Sequence, residues 1–182
     1  MKPRLVLGID PGTAVTGYGV VALEGRVTTL VECGVIRTPP KERLPARLYD
    51  IHEGVRELIA RHKPQMVAVE DVFYARNVRT TVVLGHARGV ILLAAEEAGL
   101  DIREYPPAEI KKAITGSGAA TKEQVQFMVM KLLRLSRAPE PADAADGVAA
   151  ALCACLATSL PALPPMPKLP SISLDFRRNV PR

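Results

Sequence analysis

Apolar residues gather first into three short segments, residues 5–9, 17–23 and 27–36, rich in Val, Ile, Leu and Thr and separated by Pro11-Gly12 and Glu24-Gly25. This pattern predicts three consecutive strands in an antiparallel meander. From Leu44 the period changes. Leu44, Leu48, Ile51, Val55, Leu58 and Ile59 recur at helical spacing, and Pro64 ends that helix. Residues 65–69 read as a fourth strand, 78–99 as a second helix and 101–105 as a fifth strand. Pro106-Pro107 opens a third helix, since proline fits a first helical turn. A Gly116-Ser117-Gly118 loop leads to Thr121-Lys122-Glu123-Gln124, a capping-box pattern that starts an amphipathic helix running to about Leu135. Pro139 and Pro141 precede a last helix over residues 142–157.

The order βββαβαβα, followed by further helix, predicts an α/β fold. Each crossover between parallel strands lays a helix on the sheet, so the expected architecture is a five-stranded mixed sheet flanked by helices. A length of 182 residues with 48% hydrophobic composition suits one ordinary domain with a real core. Residues 1–158 are expected to form that domain. Residues 159–182 hold 6 of the 16 prolines together with Lys168, Arg177, Arg178 and Arg182, and read as a flexible Pro-rich basic tail.

Composition narrows the function modestly. Lys+Arg 24 against Asp+Glu 19 gives a net charge of +5, a lean toward anionic partners. The amino terminus has no extended apolar region of a secretory signal. The longest apolar run, residues 148–157, is short of the roughly 18 residues of a membrane span, so a cytoplasmic protein with no membrane contact is expected. Three cysteines, an odd count, give no disulfide framework, and Cys153 and Cys155 read as small core residues.

Four acids stand out by position. Asp10 ends the first strand and Glu70 follows the fourth; if these strands are parallel neighbours, both carboxylates sit at carboxyl ends, where open α/β sheets place their sites. Asp143 and Asp146 lie three apart at the start of the last helix, on one face. Alone, such a pair complements a helix dipole, and an Asp after a strand is an ordinary turn residue. Together, four carboxylates would repel one another unless a cation neutralised them. With no His or Cys cluster, Mg²⁺ or Mn²⁺ is the natural partner. Two such ions clamp the attacking and leaving oxygens of a phosphodiester displacement, which suggests metal-dependent cleavage of nucleic acid.

Gly8-Ile9-Asp10-Pro11-Gly12-Thr13, Thr16-Gly17-Tyr18-Gly19-Val20, Val69-Glu70-Asp71-Val72-Phe73, Leu84-Gly85-His86-Ala87-Arg88-Gly89 and Ala142-Asp143-Ala144-Ala145-Asp146 resemble the bacterial RuvC-type Holliday junction resolvases. The resemblance is collinear from about residue 4 to 157. It implies an RNase H-like fold, a homodimer, two Mg²⁺ per site with Mn²⁺ able to substitute, and paired symmetric nicks across a four-way DNA junction in recombination and repair. It also implies transient work beside the RuvA–RuvB branch-migration complex. Asp10, Glu70, Asp143 and Asp146 match the family's catalytic, metal-binding acids, and this chain has Asp at 143 where some members carry His. Lys111 and Lys122 match its lysines near the scissile phosphate.

The remaining candidates have a second reading each. Lys122 at a helix start has no reason in the helix dipole to be there, which favours phosphate contact, whereas Lys112 reads as a solvated helix residue. Phe73-Tyr74 stands beside Arg76, Asn77 and Arg79 in a chain with 4% aromatics. Phe73 could pack under its loop as core, but the resemblance favours stacking on an unpaired base for Phe73 and not for Tyr74; the adjacent Arg76, Asn77 and Arg79 are candidate DNA contacts. His52 and His62 read as partly exposed helix residues, and His86, within the second helix, reads by default as a packing residue, with a dimer contact as its alternative. Asp10-Pro11-Gly12-Thr13 also looks like the first phosphate loop of actin and sugar-kinase ATPases, but those need a second hairpin in a duplicated domain. A non-catalytic junction-binding protein would need a broken acid set, and the set here is complete; a nuclease of RNA or RNA–DNA hybrids is the other alternative, which substrate competition distinguishes.

Overall fold

The computed structural model describes residues 2–71 and 78–158. Its elements are β1 (Arg4–Asp10), β2 (Val15–Glu24), β3 (Val27–Arg37), α1 (Leu44–His62), β4 (Met66–Glu70), α2 (Val78–Glu97), β5 (Asp101–Tyr105), α3 (Pro107–Thr115), α4 (Lys122–Leu132) and α5 (Ala142–Thr158). They form one five-stranded sheet in the order β3-β2-β1-β4-β5. The first three strands pair antiparallel, whereas β4 lies parallel to both β1 and β5. The expected mixed sheet is therefore present, with β1 at its centre.

Alternation along the strands splits the core in two. Leu7, Ile9, Val20, Val67 and Val69 point to one face and meet Ile51, Val55 and Leu58 of α1 and Ala87, Ile91, Ala94 and Ala95 of α2. Val6, Val21, Met66 and Ala68 point to the other, against α3, α4 and α5. In β2–β3 the register shifts between Val20 and Val21, so that Val20 faces Glu32 while Val21 faces Leu30. Val31 is the extra residue of this bulge, and it is exposed.

Helix α5 is apolar all round and buries every residue from Ala144 to Cys155 except Asp146, as a helix in the interior of a fold must. Small residues let it lie on the sheet at backbone contact. A Cβ placed on Gly17 of β2 would fall on the Asp143 carbonyl oxygen, and one on Gly147 of α5 would stand 2.5 Å from Tyr18 Cα. Gly17 is also the register partner of Asp10. This close approach sets the start of α5 directly over the end of β1.

Three expectations change. Helix α4 ends at Leu132 rather than near Leu135, because Arg134 adopts a left-handed φ of 54° and the Leu135 N–H turns back to the Met130 carbonyl at 2.9 Å. His86 is exposed, not packed, because the inward face of α2 is taken by Ala87, Ile91, Ala94 and Ala95. Finally, α2 is by length and composition apolar enough to cross a membrane, which the count of consecutive apolar residues did not show. Its inner side nevertheless packs on the sheet, and Arg88 in its middle is ion-paired to Asp71 and Glu104. Cys153 and Cys155 are core residues, and the Thr121–Gln124 capping box is formed in both directions.

Candidate metal centre

Strand β1 delivers Asp10 to the carboxyl end of the central strand, where the chain turns through Pro11-Gly12-Thr13. The buried Thr16 closes that turn: its hydroxyl donates to the Gly12 carbonyl at 2.6 Å and accepts from the Gly12 N–H at 3.4 Å. Asp143 and Asp146 arrive on the first turns of α5, which begins as the Ala144 N–H donates to the Pro141 carbonyl at 2.9 Å. Asp10, Asp143 and Asp146 are all half-buried, and each offers a carboxylate oxygen within 4.8 Å of the others.

Glu70 comes from the neighbouring strand. Ile9 and Val69 are partners in the parallel β1–β4 pair, so the two strands end side by side with Asp10 and Glu70 one residue further on. Its carboxylate is half-buried and stands outside the 4.8 Å group, yet it senses the Asp10 and Asp146 charges. Lys122 opens α4 beside them and its ammonium donates to Asp146 Oδ2 at 2.7 Å. Lys111 of α3 bears on Glu70, where its charge opposes the effect of the acids. Lys112 is exposed, as expected.

Electrostatics show a site short of positive charge. Burial pushes Asp10 up to about 7, with the Asp146 and Asp143 charges adding to the rise and Lys122 opposing it. Burial likewise pushes Glu70 up to about 8, helped by Asp10 and Asp146 and opposed by Lys111 and Lys122. The hydrogen bond to Asp146 holds Lys122 above its ordinary value. The two ammonium groups of Lys111 and Lys122 do not neutralise three gathered acids with a fourth beside them. An all-oxygen donor set of this kind fits a hard divalent cation, and among the described residues no His or Cys joins it.

The direction of these shifts fixes a pH dependence. Between the ordinary carboxyl values of 3.8 and 4.5 and the raised ones of about 7 and 8, the folded metal-free protein binds more protons than the unfolded chain. Its stability therefore falls as pH rises through that interval, and the destabilisation is complete above it. Melting in EDTA is expected at a lower temperature at pH 8 than at pH 5. Mg²⁺ should raise the melting temperature more at pH 8, where the ligands are already deprotonated. Equal metal-free melting temperatures at the two pH values would contradict the raised carboxyl values, of which burial is the larger cause and repulsion the smaller.

The model of one protein family, the crossover junction endodeoxyribonuclease RuvC, matches residues 6–154, a span that contains all four acids and both lysines. The chain belongs to the RuvC family. A RuvC from Halorhodospira halophila is 54% identical over 134 residues, covering 74% of this chain and 80% of that one. A RuvC from Pelotomaculum thermopropionicum is 48% identical and covers 74% and 82%. Among solved structures, Thermus thermophilus RuvC superposes with a TM-score of 0.79 at 39% identity, over 85% of this chain and 95% of that one. The same RuvC solved in complex with a Holliday junction substrate gives 0.78 at 37% identity. The RNase H-like fold is thus the fold of this chain, as the family resemblance implied.

Of the other sequence candidates, Arg79 stands exposed in the first turn of α2. Phe73, Tyr74, Arg76 and Asn77 lie outside the described residues, as does the segment 159–182. Two structural residues were not singled out from sequence. Thr16 was visible only as part of a motif, although a Thr four residues after Gly12 is well placed to bond back to the turn. Arg88 was likewise quoted in a motif; the signal was a lone charge in the middle of an apolar helix.

Proposed function

We propose that the chain is a metal-dependent endonuclease that resolves four-way DNA junctions by paired symmetric nicks, in recombination and repair. The observation that carries this reading is the convergence of Asp10, Asp143 and Asp146, with Glu70 beside them, at the carboxyl ends of the inner strands β1 and β4 of a RuvC-family chain. The related T. thermophilus RuvC, solved with a Holliday junction substrate, supports the choice of substrate. Residues 1–158 are the nuclease domain and 159–182 a basic tail, in a protein acting on DNA in the cytoplasm.

In this mechanism Asp10, Glu70, Asp143 and Asp146 would hold two Mg²⁺, for which Mn²⁺ would substitute. When bound, the ions supply Lewis acidity and stabilise charge on the attacking and leaving oxygens of an in-line displacement. The carboxylates on strand ends and on a buried helix are rigid, which keeps the reacting geometry without reorganisation. Lys111 and Lys122 hold the scissile phosphodiester; Lys122 exchanges part of its contact with Asp146 for phosphate oxygens. A water oxygen attacks phosphorus as the bond to the 3′ oxygen breaks; the water gives up a proton and the departing 3′ oxygen takes one up, leaving a 5′ phosphate and a 3′ hydroxyl. Phe73 stacks at the crossover, with Arg76, Asn77 and Arg79 on the backbone nearby.

Paired nicks on a two-fold junction call for a two-fold enzyme. The outer side of α2 supports a homodimer. Val78, Val82, Gly85, Gly89 and Leu93 recur every three or four residues on its exposed face, opposite the buried Ala87, Ile91 and Ala94. A Cβ on Gly85 or Gly89 meets nothing within 4 Å, so this face is open to close approach by another helix. Gly85→Arg is therefore expected to leave the fold intact, and to convert the dimer to monomer in light scattering, with junction resolution reduced at least about tenfold. A variant that remained dimeric would remove α2 as the contact. Transient association with RuvA–RuvB completes the reading.

The function itself is tested by labelling each of the four strands of a synthetic junction in turn. Cuts on two opposed strands at symmetric positions are expected. Cutting of one strand alone, or of all four equally, would contradict paired resolution.

A further inference from the structure

Arg88 sits near the middle of α2, next to the buried Ala87 and three residues before the buried Ile91. Its guanidinium meets carboxylates from two different segments. Nε lies 3.3 Å from Asp71 Oδ1, and Nη2 donates to Glu104 Oε2. The Arg88 side chain is 28% exposed; its Nε is sealed from solvent and makes no hydrogen bond, so the Asp71 carboxylate faces it as an ion pair, while the hydrogen bond of the guanidinium goes to Glu104.

The two acids bracket the end of β4. Asp71 directly follows Glu70, and its N–H donates to the Tyr105 carbonyl at 2.9 Å. Glu104 precedes Tyr105, whose register partner is Glu70. One guanidinium therefore pins both residues flanking the Glu70–Tyr105 pair. Neither Asp71 nor Glu104 belongs to the acid cluster, so the bridge does not serve the metal directly. Glu70 is also the one of the four acids whose carboxylate stands outside the 4.8 Å group, so its aim depends on how its strand end is held.

We propose that Arg88 is a positioning residue for Glu70: by bridging Asp71 and Glu104 it fixes the end of β4 and hence the approach of the Glu70 carboxylate to the metal site. This rests on the reading of Glu70 as a metal ligand given above. The same helix carries the exposed stripe proposed to meet a second copy, so the clamp joins the metal site to that helix.

The test compares wild-type protein with Arg88→Lys, which keeps the charge but loses the two-armed fork, and with Asp71→Asn, which leaves the contact with Glu104. Mn²⁺ affinity is read by calorimetry on the protein alone, nicking as a function of Mn²⁺ concentration, and folding by thermal melting. Outer partners of metal ligands cost about tenfold or more in metal affinity when removed, so each variant should bind Mn²⁺ about tenfold more weakly while melting near the wild-type temperature. Saturating Mn²⁺ should bring nicking back toward the wild-type rate, which a merely structural lesion would not allow. Unchanged Mn²⁺ affinity in a folded variant would overturn the proposal. If Arg88→Lys does not fold, Asp71→Asn decides it by the same reading. Wild-type protein that cut no junction at any metal concentration would remove the proposed function instead, and the calorimetry would still decide the role of Arg88.

Discussion

Asp146→Asn is expected to abolish nicking of a four-way junction in Mg²⁺, by about 10³-fold or more, equivalent to about 4 kcal/mol of transition-state stabilisation. Asp146 is the most connected acid of the site: it shares the 4.8 Å group with Asp10 and Asp143, raises both Asp10 and Glu70, and accepts from Lys122. The amide keeps the shape but removes one charge and half of the oxygen donors. Junction binding in Ca²⁺ should stay within about threefold, because phosphate contacts of basic residues carry most of the affinity. Metal-free stability should hold or rise, since Asp146 is a source of the repulsion on Asp10. Single-turnover cleavage gels, mobility shifts and thermal melts check all three. Cutting by the variant at the wild-type rate would show that Asp146 is not a metal ligand.

Gly17→Val is expected to damage both the fold and the site. Any Cβ at Gly17 falls on the Asp143 backbone, which is not a flexible side chain that can swing away, so either α5 lifts or β2 shifts. Overpacking of this kind costs about 3 kcal/mol or more. For a chain of this size that lowers the melting temperature by about 10 °C. Because the displaced residues carry Asp143 and Asp146 while Asp10 stays on β1, nicking should fall by about 10²-fold even below the melting transition. Equal stability of Gly17→Val and wild type would refute the backbone contact between α5 and β2.

These two substitutions mark where the sequence was legible and where it was not. The strand-end position of Asp10 followed from a run of apolar residues stopping at Pro11-Gly12, and that of Glu70 from the short run before it. The shared face of Asp143 and Asp146 followed from their spacing alone. Their convergence did not follow from local pattern, because it depends on β1 lying between β2 and β4 and on α5 touching the sheet through Gly17 and Gly147. Before the contact is seen, a glycine in a strand reads as weakness in the strand. Helix α2 hid more. With apolar or small residues on most sides, its composition did not indicate which face turns inward, so His86 was placed on the wrong one. Arg88 in the same helix gained meaning only when Asp71 and Glu104 were found on either side of it. The bond from Lys122 to Asp146 joins residues 24 apart on two helices, a pairing that no periodicity displays.

The net charge of +5 also takes on a location. The four clustered acids are a local negative centre in a basic chain, and filling them with divalent cations removes the charge that would repel a phosphodiester. The most direct test of the central claim is a gel comparing cleavage of a mobile four-way junction, a linear duplex and an RNA–DNA hybrid by the full chain in Mg²⁺. Selective cutting of the junction, lost in EDTA, is the expected result; equal cutting of all three substrates would contradict it.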